Sequence, residues 1–131
     1  MIIGTGIDIV EVQRVKASID KYGDTFLAHF LTAQEIAELP DGNQRFQSCA
    51  GRWAAKEAVA KALGTGFGAE CEWRDICIVN DKAGAPKANL SGTAAKTAKS
   101  LGISSIHISI SHENKFACAM AIAEGKQDKE Q

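Results

Sequence analysis

The stretch Arg52–Gly66, RWAAKEAVAKALGTG, constrains the fold of this chain more than any other segment. Ala, Leu, Lys, Glu and Arg dominate it as far as Leu63, and neither Pro nor Gly interrupts it, so it predicts a helix that begins near Gln44. Gly64 can adopt the left-handed conformation that ends a helix. Because the helix is apolar nearly all round, we expect it to be buried, and its charged residues then need partners or ligands.

Two charged stripes run along this helix. Glu57 and Lys61 share the first stripe, and Arg52 and Lys56 form the second. The ordinary interpretation of the first stripe is a salt bridge between Glu57 and Lys61, worth about 0.2–0.5 kcal/mol. The alternative is a functional site, which requires a second carboxylate from elsewhere in the chain.

Residues Ile2–Val10 form a strand candidate that is rich in Ile and Val. One face of this strand carries Ile side chains, whereas the other carries Gly4, Gly6 and Asp8, which are poor strand formers. We therefore expect the glycine face to serve something other than packing, with Asp8 presenting a carboxylate at its edge. The alternative role of Asp8 is to cap the helix that follows.

Turn and cap signals divide the rest of the chain into short elements, including a capping box formed by Thr32 and Glu35. We expect helices over Glu11–Tyr22, Thr25–Leu31, Thr32–Leu39 and Gly92–Leu101, and strands over Asp75–Asn80, Pro86–Leu90, Ile103–His112 and Phe116–Ala123. An N-terminal strand, a helical middle and a C-terminal antiparallel sheet are typical of the α+β class. We expect a single domain over 1–124 and a polar, disordered tail over 125–131.

Two surface features indicate partners. Ala residues occupy one face of the last strand, and Ser residues occupy one face of the strand before it, so we expect these small side chains to pack closely against another subunit. On the first helix, Arg14, Ser18 and Lys21 form a basic ridge on a chain whose net charge is −1. The ridge is either a docking surface for a partner or an ordinary solvated face.

The composition excludes several function classes. A net charge of −1 gives no bulk affinity for nucleic acid or for an anionic membrane, and no run approaches the ~18 apolar residues of a membrane span. The N-terminus lacks the basic leader and apolar run of a signal peptide. The four cysteines lack the spacing of a zinc site, so we expect free thiols, with Cys49 and Cys118 in the core of a cytoplasmic protein.

Three separated motifs together resemble a known family. They are Gly4-x-Gly6-Ile7-Asp8, the stretch Arg52–Gly66, and Ile108-Ser109-Ile110-Ser111-His112. In this order and spacing they resemble the holo-acyl-carrier-protein synthases, which are small 4'-phosphopantetheinyl transferases, over residues 2–123. The resemblance implies the fold of that family and a homotrimer with active sites between subunits. It also implies coenzyme A as donor, magnesium as cofactor, a serine of apo acyl carrier protein as acceptor, and a role in fatty acid biosynthesis.

Site residues follow from the same resemblance. It implies Asp8 and Glu57 as metal ligands and Lys61 as the residue that meets the coenzyme diphosphate. It implies Arg14 as a docking residue for the carrier protein. The implied coenzyme-binding positions are Arg52, Lys61, Gly64, Gly66, Pro86 and His112. The loop Gly84-Ala85-Pro86 departs from the Gly-Lys-Pro that is common in the family, which leaves its nucleotide contacts open.

The chemistry of these residue types agrees with the resemblance. Magnesium prefers oxygen ligands, and Asp8 and Glu57 can supply two of them. Lys61 can neutralise charge that develops on the leaving 3',5'-ADP, and Glu57, acting through a water molecule, is the candidate base for the serine proton. His112 is a further catalytic candidate, which could instead bind a coenzyme phosphate or simply pack against the Ile face of its strand.

Two other function classes remain open at this point. One is a module that binds coenzyme A or a nucleotide without transferase activity, although binding alone does not need a pair of carboxylates and Lys61. The other is a structural trimer with buried salt bridges. Dependence of the activity on a metal ion would distinguish an enzyme from a structural trimer.

Overall fold

The computed structural model of the protein describes residues 1–126. Its helices are Val12–Tyr22 (α1), Asp24–Phe30 (α2), Ala33–Ala37 (α3), Asn43–Leu63 (α4) and Gly92–Ser100 (α5), and its strands are Ile2–Glu11 (β1), Ile76–Asn80 (β2), Pro86–Leu90 (β3), Ile103–His112 (β4) and Phe116–Gly125 (β5). The predicted α+β class and the order of its elements are confirmed, with ends that differ by one or two residues. Strand β5 continues past Ala123 to Gly125, and residues 127–131 of the predicted tail lie outside the described residues.

The strands form two antiparallel sheets. Strands β1, β5 and β4 form the larger sheet in that order, so the first strand of the chain pairs with the last. Strands β2 and β3 form a separate hairpin. The register of the larger sheet places Asp8 opposite Ala119, which in turn lies opposite Ile110. At the sheet edge, the backbones of Met1 and Gly125 exchange two hydrogen bonds.

Helix α4 packs against one face of the larger sheet, and the glycines of β1 allow a close approach. A Cβ atom on Gly4 would collide with the carbonyl oxygen of Ala62, and a Cβ atom on Gly6 would collide with that of Ala58. The glycine face of β1 therefore receives the backbone of α4. Our expectation that this face serves something other than packing is wrong for the glycines, which are needed for contact with the helix.

Helix α4 also covers the alanine face of β5. The buried alanines of this strand are Ala117, Ala119, Ala121 and Ala123. Our expectation that this face contacts another subunit is therefore wrong. Because α4 is itself rich in Ala, small side chains on both elements allow the helix and the sheet to approach closely.

The opposite face of the larger sheet is exposed and partly apolar. Its accessible large side chains are Ile7, Ile9, Phe116 and Met120. The Ser face of β4 lies on this side, since Ser109 pairs with Met120. Cys118 is also exposed here, so its expected core position is wrong, although Cys49 is buried and all four thiols are free. Contiguous exposed apolar surface is typical of a protein contact.

Two hydrophobic cores lie on either side of α4. One core, between α4, the larger sheet, β2 and α5, contains Val59 and Ile76. The other core, between α4, α1 and α2, contains Val15 and Phe30. Because α4 contributes to both cores, it is buried over most of its circumference, as predicted. Gly64 ends it in the left-handed conformation, with φ 77°.

Candidate active site

Asp8 and Glu57 reach the same pocket from different elements. The pocket has a volume of about 430 Å³ and lies between β1, α1, α2 and α4. We call it the carboxylate pocket; its lining residues are Asp8, Ile9, Val10, Arg14, Val15, Ser18, Phe26, Trp53 and Glu57. Asp8 does not cap α1, which begins at Val12 without a side-chain cap. The packing of β1 on α4 thus brings the two predicted carboxylates together.

Lys61 lies beside Asp8. Its Nζ atom donates to the backbone oxygen of Ile7 at 2.8 Å and to Oδ1 of Asp8 at 3.3 Å. None of the ion pairs within residues 1–126 joins Glu57 to Lys61, so the interpretation as an ordinary helical salt bridge is wrong. The side chain of Lys61 is about half exposed, which leaves its ammonium group accessible to a ligand.

The charges of this pocket favour a bound cation. Burial raises the pKa of the Glu57 carboxyl group, and the negative charge of Asp8 raises it further, whereas Lys61 lowers it. A cation placed between the two carboxylates would favour the ionised form of both. Within residues 1–126, no cluster of three or more His, Cys, Asp or Glu side chains could hold a metal ion. A metal ion here would therefore take further ligands from a substrate or from water.

The basic ridge of α1 lies partly at the mouth of this pocket. Arg14 and Ser18 line the carboxylate pocket, whereas Lys21 lies outside it, with its Nζ atom 5.1 Å from the ring centre of Tyr22. The aromatic wall of the pocket was missed by sequence reasoning. It consists of Phe26 and Trp53, whose stacked rings lie 5.9 Å apart. Nothing in the sequence pattern distinguishes these rings from ordinary core residues.

A second pocket, of about 220 Å³, holds other residues of the predicted site. We call it the arginine pocket; its lining residues are Ser48, Gly51, Arg52, Ile78, Asn80, Gly84, Pro86, Ile110 and His112. Sequence reasoning missed the polar side chains of Ser48 and Asn80. His112 is exposed, and its Nδ1 atom lies 2.9 Å from Oε1 of Gln47. The alternative that His112 simply packs against its strand is therefore wrong.

The two pockets lie on different sides of α4. Arg52 and Glu57 are separated by about 140° of helical rotation, and the pockets share no lining residue. Gly64 lines a third pocket with Lys96, and Gly66 follows in the same loop with φ 61°. A single chain therefore does not bring all the predicted coenzyme-binding residues to one place.

A buried ionic network lies behind the arginine pocket. Glu35 and Lys56 are fully buried, and Nζ of Lys56 donates to Oε1 of Glu35 at 2.7 Å. Glu35 also completes the capping box with Thr32, so that prediction is confirmed. Arg52 is only 9% exposed and lies beside the other oxygen of Glu35. The sequence predicts the capping box but not the ion pair, because Glu35 and Lys56 are far apart in the chain.

Known proteins share this arrangement of elements. A family model described as the 4'-phosphopantetheinyl transferase superfamily matches residues 4–121. The chain belongs to this superfamily. The matched range includes Asp8, Glu57, Lys61 and His112, and it confirms the resemblance found in the sequence motifs.

Within this superfamily, relatives of similar length are holo-[acyl-carrier-protein] synthases. A holo-[acyl-carrier-protein] synthase of Maridesulfovibrio salexigens is 46% identical over 124 residues, which cover 95% of this chain and 99% of that protein. The crystal structure of holo-[acyl-carrier-protein] synthase from Neisseria meningitidis matches with a TM-score of 0.88 and 36% identity, covering 95% of this chain and 99% of that one. The enzyme from Helicobacter pylori, in complex with coenzyme A, matches with a TM-score of 0.82 and 35% identity, covering 92% and 99%. The predicted fold and the predicted enzyme class, a phosphopantetheinyl transferase, are confirmed.

Proposed function

We propose that this enzyme transfers the 4'-phosphopantetheine group of coenzyme A to a serine hydroxyl of an apo acyl carrier protein and releases 3',5'-ADP. The observation that carries this proposal is the carboxylate pocket, where Asp8 and Glu57 converge beside the ammonium group of Lys61. The names of the relatives and the coenzyme A complex of the Helicobacter pylori enzyme support the same reaction. Fatty acid biosynthesis is the process that we assign to it.

Magnesium is the cofactor that we propose, with Asp8 and Glu57 as its protein ligands. Mg²⁺ is commonly held by one or two carboxylates together with substrate phosphates and water, which agrees with a pocket that offers two carboxylates. The raised pKa of Glu57 supports the assignment, because it reflects burial and repulsion from Asp8 that a divalent cation would offset. When bound, the ion would supply positive charge to the coenzyme diphosphate.

Different side chains of the carboxylate pocket would bind the diphosphate and accept the serine proton. Lys61, held beside Asp8, would bind the diphosphate and stabilise the charge that develops on its leaving oxygen. Glu57, acting through a water molecule, is the candidate base for the serine proton, because it lies in the pocket that Arg14 and Ser18 also line. The serine oxygen then bonds to the phosphorus of the phosphopantetheine as the bond from this phosphorus to the bridging oxygen of the diphosphate breaks.

The arginine pocket is where we assign the nucleotide half of coenzyme A. Arg52 is positively charged, His112 is exposed, and the backbone around Pro86 borders the same space. With Nδ1 donating to Oε1 of Gln47, His112 could donate to a coenzyme phosphate from Nε2 when the ring carries both protons. We assign Gly64 and Gly66 to the same coenzyme as backbone that can approach a phosphate closely.

A complete active site would then need two copies of the chain, and we infer a homotrimer. The carboxylate and arginine pockets lie on different sides of α4, so one molecule of coenzyme can use both only across a contact between subunits. The exposed face of the larger sheet supports such a contact, because Ile7 and Ile9 are 70% and 66% exposed in the single chain. We take the number of subunits, three, from the family resemblance.

We assign carrier-protein docking to the basic ridge of α1. Arg14 and Ser18 line the pocket that contains Glu57, so a carrier bound there would have its serine close to the candidate base. Lys21 lies further along the same helix and would add positive charge at the edge of the contact. Acyl carrier proteins are acidic, which makes a basic ridge a complementary surface.

A cytoplasmic location completes the proposal. Within residues 1–126, the helices lack the combination of length and apolar content that a membrane crossing requires. The four cysteines, Cys49, Cys71, Cys77 and Cys118, are free thiols, which is usual for a protein in a reducing compartment.

The proposal is tested by following the release of 3',5'-ADP. The enzyme is incubated with coenzyme A, magnesium chloride and an apo acyl carrier protein, and the nucleotide is quantified by chromatography. We expect release in amounts equal to the carrier that is modified, and none when the acceptor serine of the carrier is replaced by Ala. Tight binding of coenzyme A without any release would favour a binding module and contradict the proposal.

A further inference from the structure

The buried Glu35–Lys56 pair takes no direct part in the reaction described above, yet it is held by contacts from several elements. Lys56 donates from Nζ to the backbone oxygens of Phe30 and Trp73, at 2.6 and 3.2 Å, besides Glu35. Burial lowers the pKa of Lys56, whereas the charge of Glu35 raises it. A buried ion pair is a weak source of stability, because desolvation of the two charges offsets most of their attraction. Stability alone therefore does not account for the pair.

The carboxylate of Glu35 is fixed on both of its oxygens. Oε1 accepts hydrogen bonds from Nζ of Lys56 at 2.7 Å and from the backbone of Thr32 at 2.8 Å. Oε2 accepts a hydrogen bond from the backbone of Ile78 at 3.0 Å. These contacts come from α4, from the start of α3 and from β2, so the carboxylate cannot rotate without breaking one of them.

Arg52 lies next to this carboxylate without bonding to it. Its Nε atom is 3.9 Å from Oε2 of Glu35, which is too long for a hydrogen bond, and this buried atom has no other partner. Its Nη1 atom donates to the hydroxyl of Ser48. Lys56 and Arg52 together carry two positive charges against the single negative charge of Glu35. The network therefore has a surplus positive charge next to the arginine pocket.

We propose that Glu35 and Lys56 are positioning residues that keep the guanidinium group of Arg52 available to an anionic ligand in the arginine pocket. A free carboxylate and a guanidinium favour a bidentate pair, which would withdraw Arg52 from the pocket. Lys56 hinders this pairing because it binds Oε1 of Glu35, whereas Arg52 lies beside Oε2. The inference rests on the proposed function, since it takes a phosphate of the coenzyme's nucleotide half as that ligand.

The deciding variant is Lys56→Met, which removes the ammonium group and keeps a long, apolar side chain. Glu35 then keeps only its hydrogen bonds from the backbones of Thr32 and Ile78, so its carboxylate can turn toward Arg52 at the cost of one of them. We expect the dissociation constant for 3',5'-ADP, measured by calorimetry, to rise about tenfold, the effect of losing one charge-assisted hydrogen bond. The KM for carrier protein should stay within about twofold of the wild-type value, because the ridge of α1 is untouched. A folded Lys56→Met protein that binds 3',5'-ADP with wild-type affinity would overturn the proposal.

Two further variants separate positioning from stability. Lys16→Met is the matched control, because Lys16 belongs to an exposed ion pair with Asp20, and we expect no change in binding of 3',5'-ADP. The double variant Glu35→Gln, Lys56→Met lacks the carboxylate that would pair with Arg52, so it should bind 3',5'-ADP more tightly than Lys56→Met. If Lys56→Met does not fold, Lys56→Leu, which also removes the ammonium group but keeps the Glu35 carboxylate, takes its place, and wild-type affinity for 3',5'-ADP in that folded protein would count against the proposal.

An NMR measurement tests the position of Arg52 independently of the proposed function. If the wild-type protein does not bind 3',5'-ADP, the proposed function fails, but the geometry of Arg52 can still be measured. The NMR signal of its buried Nε–H group should move in Lys56→Met, because the guanidinium then donates directly to Glu35. An unchanged signal in the folded variant would show that Lys56 does not control the position of Arg52.

Discussion

Glu57 destabilises the folded protein whenever it is ionised and no cation is bound. Its pKa is raised from the ordinary value of 4.5 by burial and by the charge of Asp8, so the folded state binds the proton more tightly than the unfolded state. The stability that comes from this tighter binding is fully present below pH 4.5. It is lost as the pH rises through the unfolded and then the folded pKa.

This pH dependence of the folding stability should be absent from Glu57→Gln, because the Gln side chain cannot ionise. In the presence of a metal chelator, the variant should be more stable than wild type at pH 7, and the difference should shrink as the pH falls below the folded pKa of Glu57. Excess Mg²⁺ should raise the unfolding midpoint of wild type by mass action and raise that of the variant far less. Urea denaturation across a series of pH values measures both effects.

Glu38→Gln is the control for this prediction, because Glu38 is an exposed carboxylate on the segment after α3. It should show neither the pH-dependent difference nor an altered response to Mg²⁺. A Glu57→Gln protein that is less stable than wild type at pH 7, or that gains as much from Mg²⁺, would mean that Glu57 is a structural residue and does not bind a metal ion.

At the scale of elements, the contact between β1 and α4 places the carboxylates. Gly6→Ala puts a methyl group against the carbonyl oxygen of Ala58, where neither backbone can move away without disturbing the core. We expect a loss near the upper end of the ~1–3 kcal/mol that overpacking costs. Gly68→Ala is the matched control, because nothing lies within 4 Å of its Cβ position. Equal stabilities of the two variants in urea would contradict the close packing of this strand on the helix.

The ridge of α1 leads to a prediction about substrate recognition. Arg14→Glu should raise the KM for acyl carrier protein about tenfold, because it replaces a charge-assisted contact with repulsion. The KM for coenzyme A should change little. Lys21→Ala should have a smaller effect, at most about fivefold, since an exposed ion pair is worth only about 0.2–1 kcal/mol.

Steady-state kinetics with each substrate varied in turn measures both constants for Arg14→Glu. Added salt should bring wild type closer to the variant, since the Debye length of about 8 Å at physiological ionic strength already screens exposed charges. An equal rise in both KM values, or no rise in either, would mean that the ridge is a solvated face and not a docking surface.

The elements of the fold could be predicted from the sequence because their ends carry local signals. Gly64 ends α4, and Thr32 with Glu35 begins α3, as their side-chain chemistry requires. The orientation of the sheet could not be predicted in the same way. Gly and Ala on one face of β1 and β5 resemble a surface kept clear for a ligand or a subunit, but the helix opposite is equally small-featured and fills that space.

The residues of the candidate site also fall into a group that the sequence could predict and a group that it could not. The proximity of Asp8, Glu57 and Lys61 could be predicted because they lie in sequence motifs with a family resemblance. The aromatic wall formed by Phe26 and Trp53 could not, because its chemistry is that of any core residue. The pair of Glu35 and Lys56 could not either, since its partners meet only after α3, α4 and β2 pack together.

At the scale of the whole molecule, the exposed sheet face predicts assembly. Ile7→Asp should abolish the proposed trimer and leave a monomer of 13.9 kDa, because an unpaired carboxylate is costly to bury at an interface. Leu101→Asp is the control, since Leu101 is 43% exposed but lies outside the sheet face. Sedimentation at micromolar concentration measures both. A wild-type protein that sediments as a monomer would contradict the assembly and, with it, a site shared between subunits.

The central claim is that this enzyme modifies a carrier protein through a magnesium-dependent site at Asp8 and Glu57. Mass spectrometry of intact apo acyl carrier protein, after incubation with enzyme and coenzyme A, tests it most directly. We predict a gain of one phosphopantetheine group per carrier with wild type and Mg²⁺, and no gain with a chelator or with folded Asp8→Asn. An unmodified carrier in the presence of wild type and Mg²⁺, or full modification by Asp8→Asn at ordinary magnesium, would contradict the account.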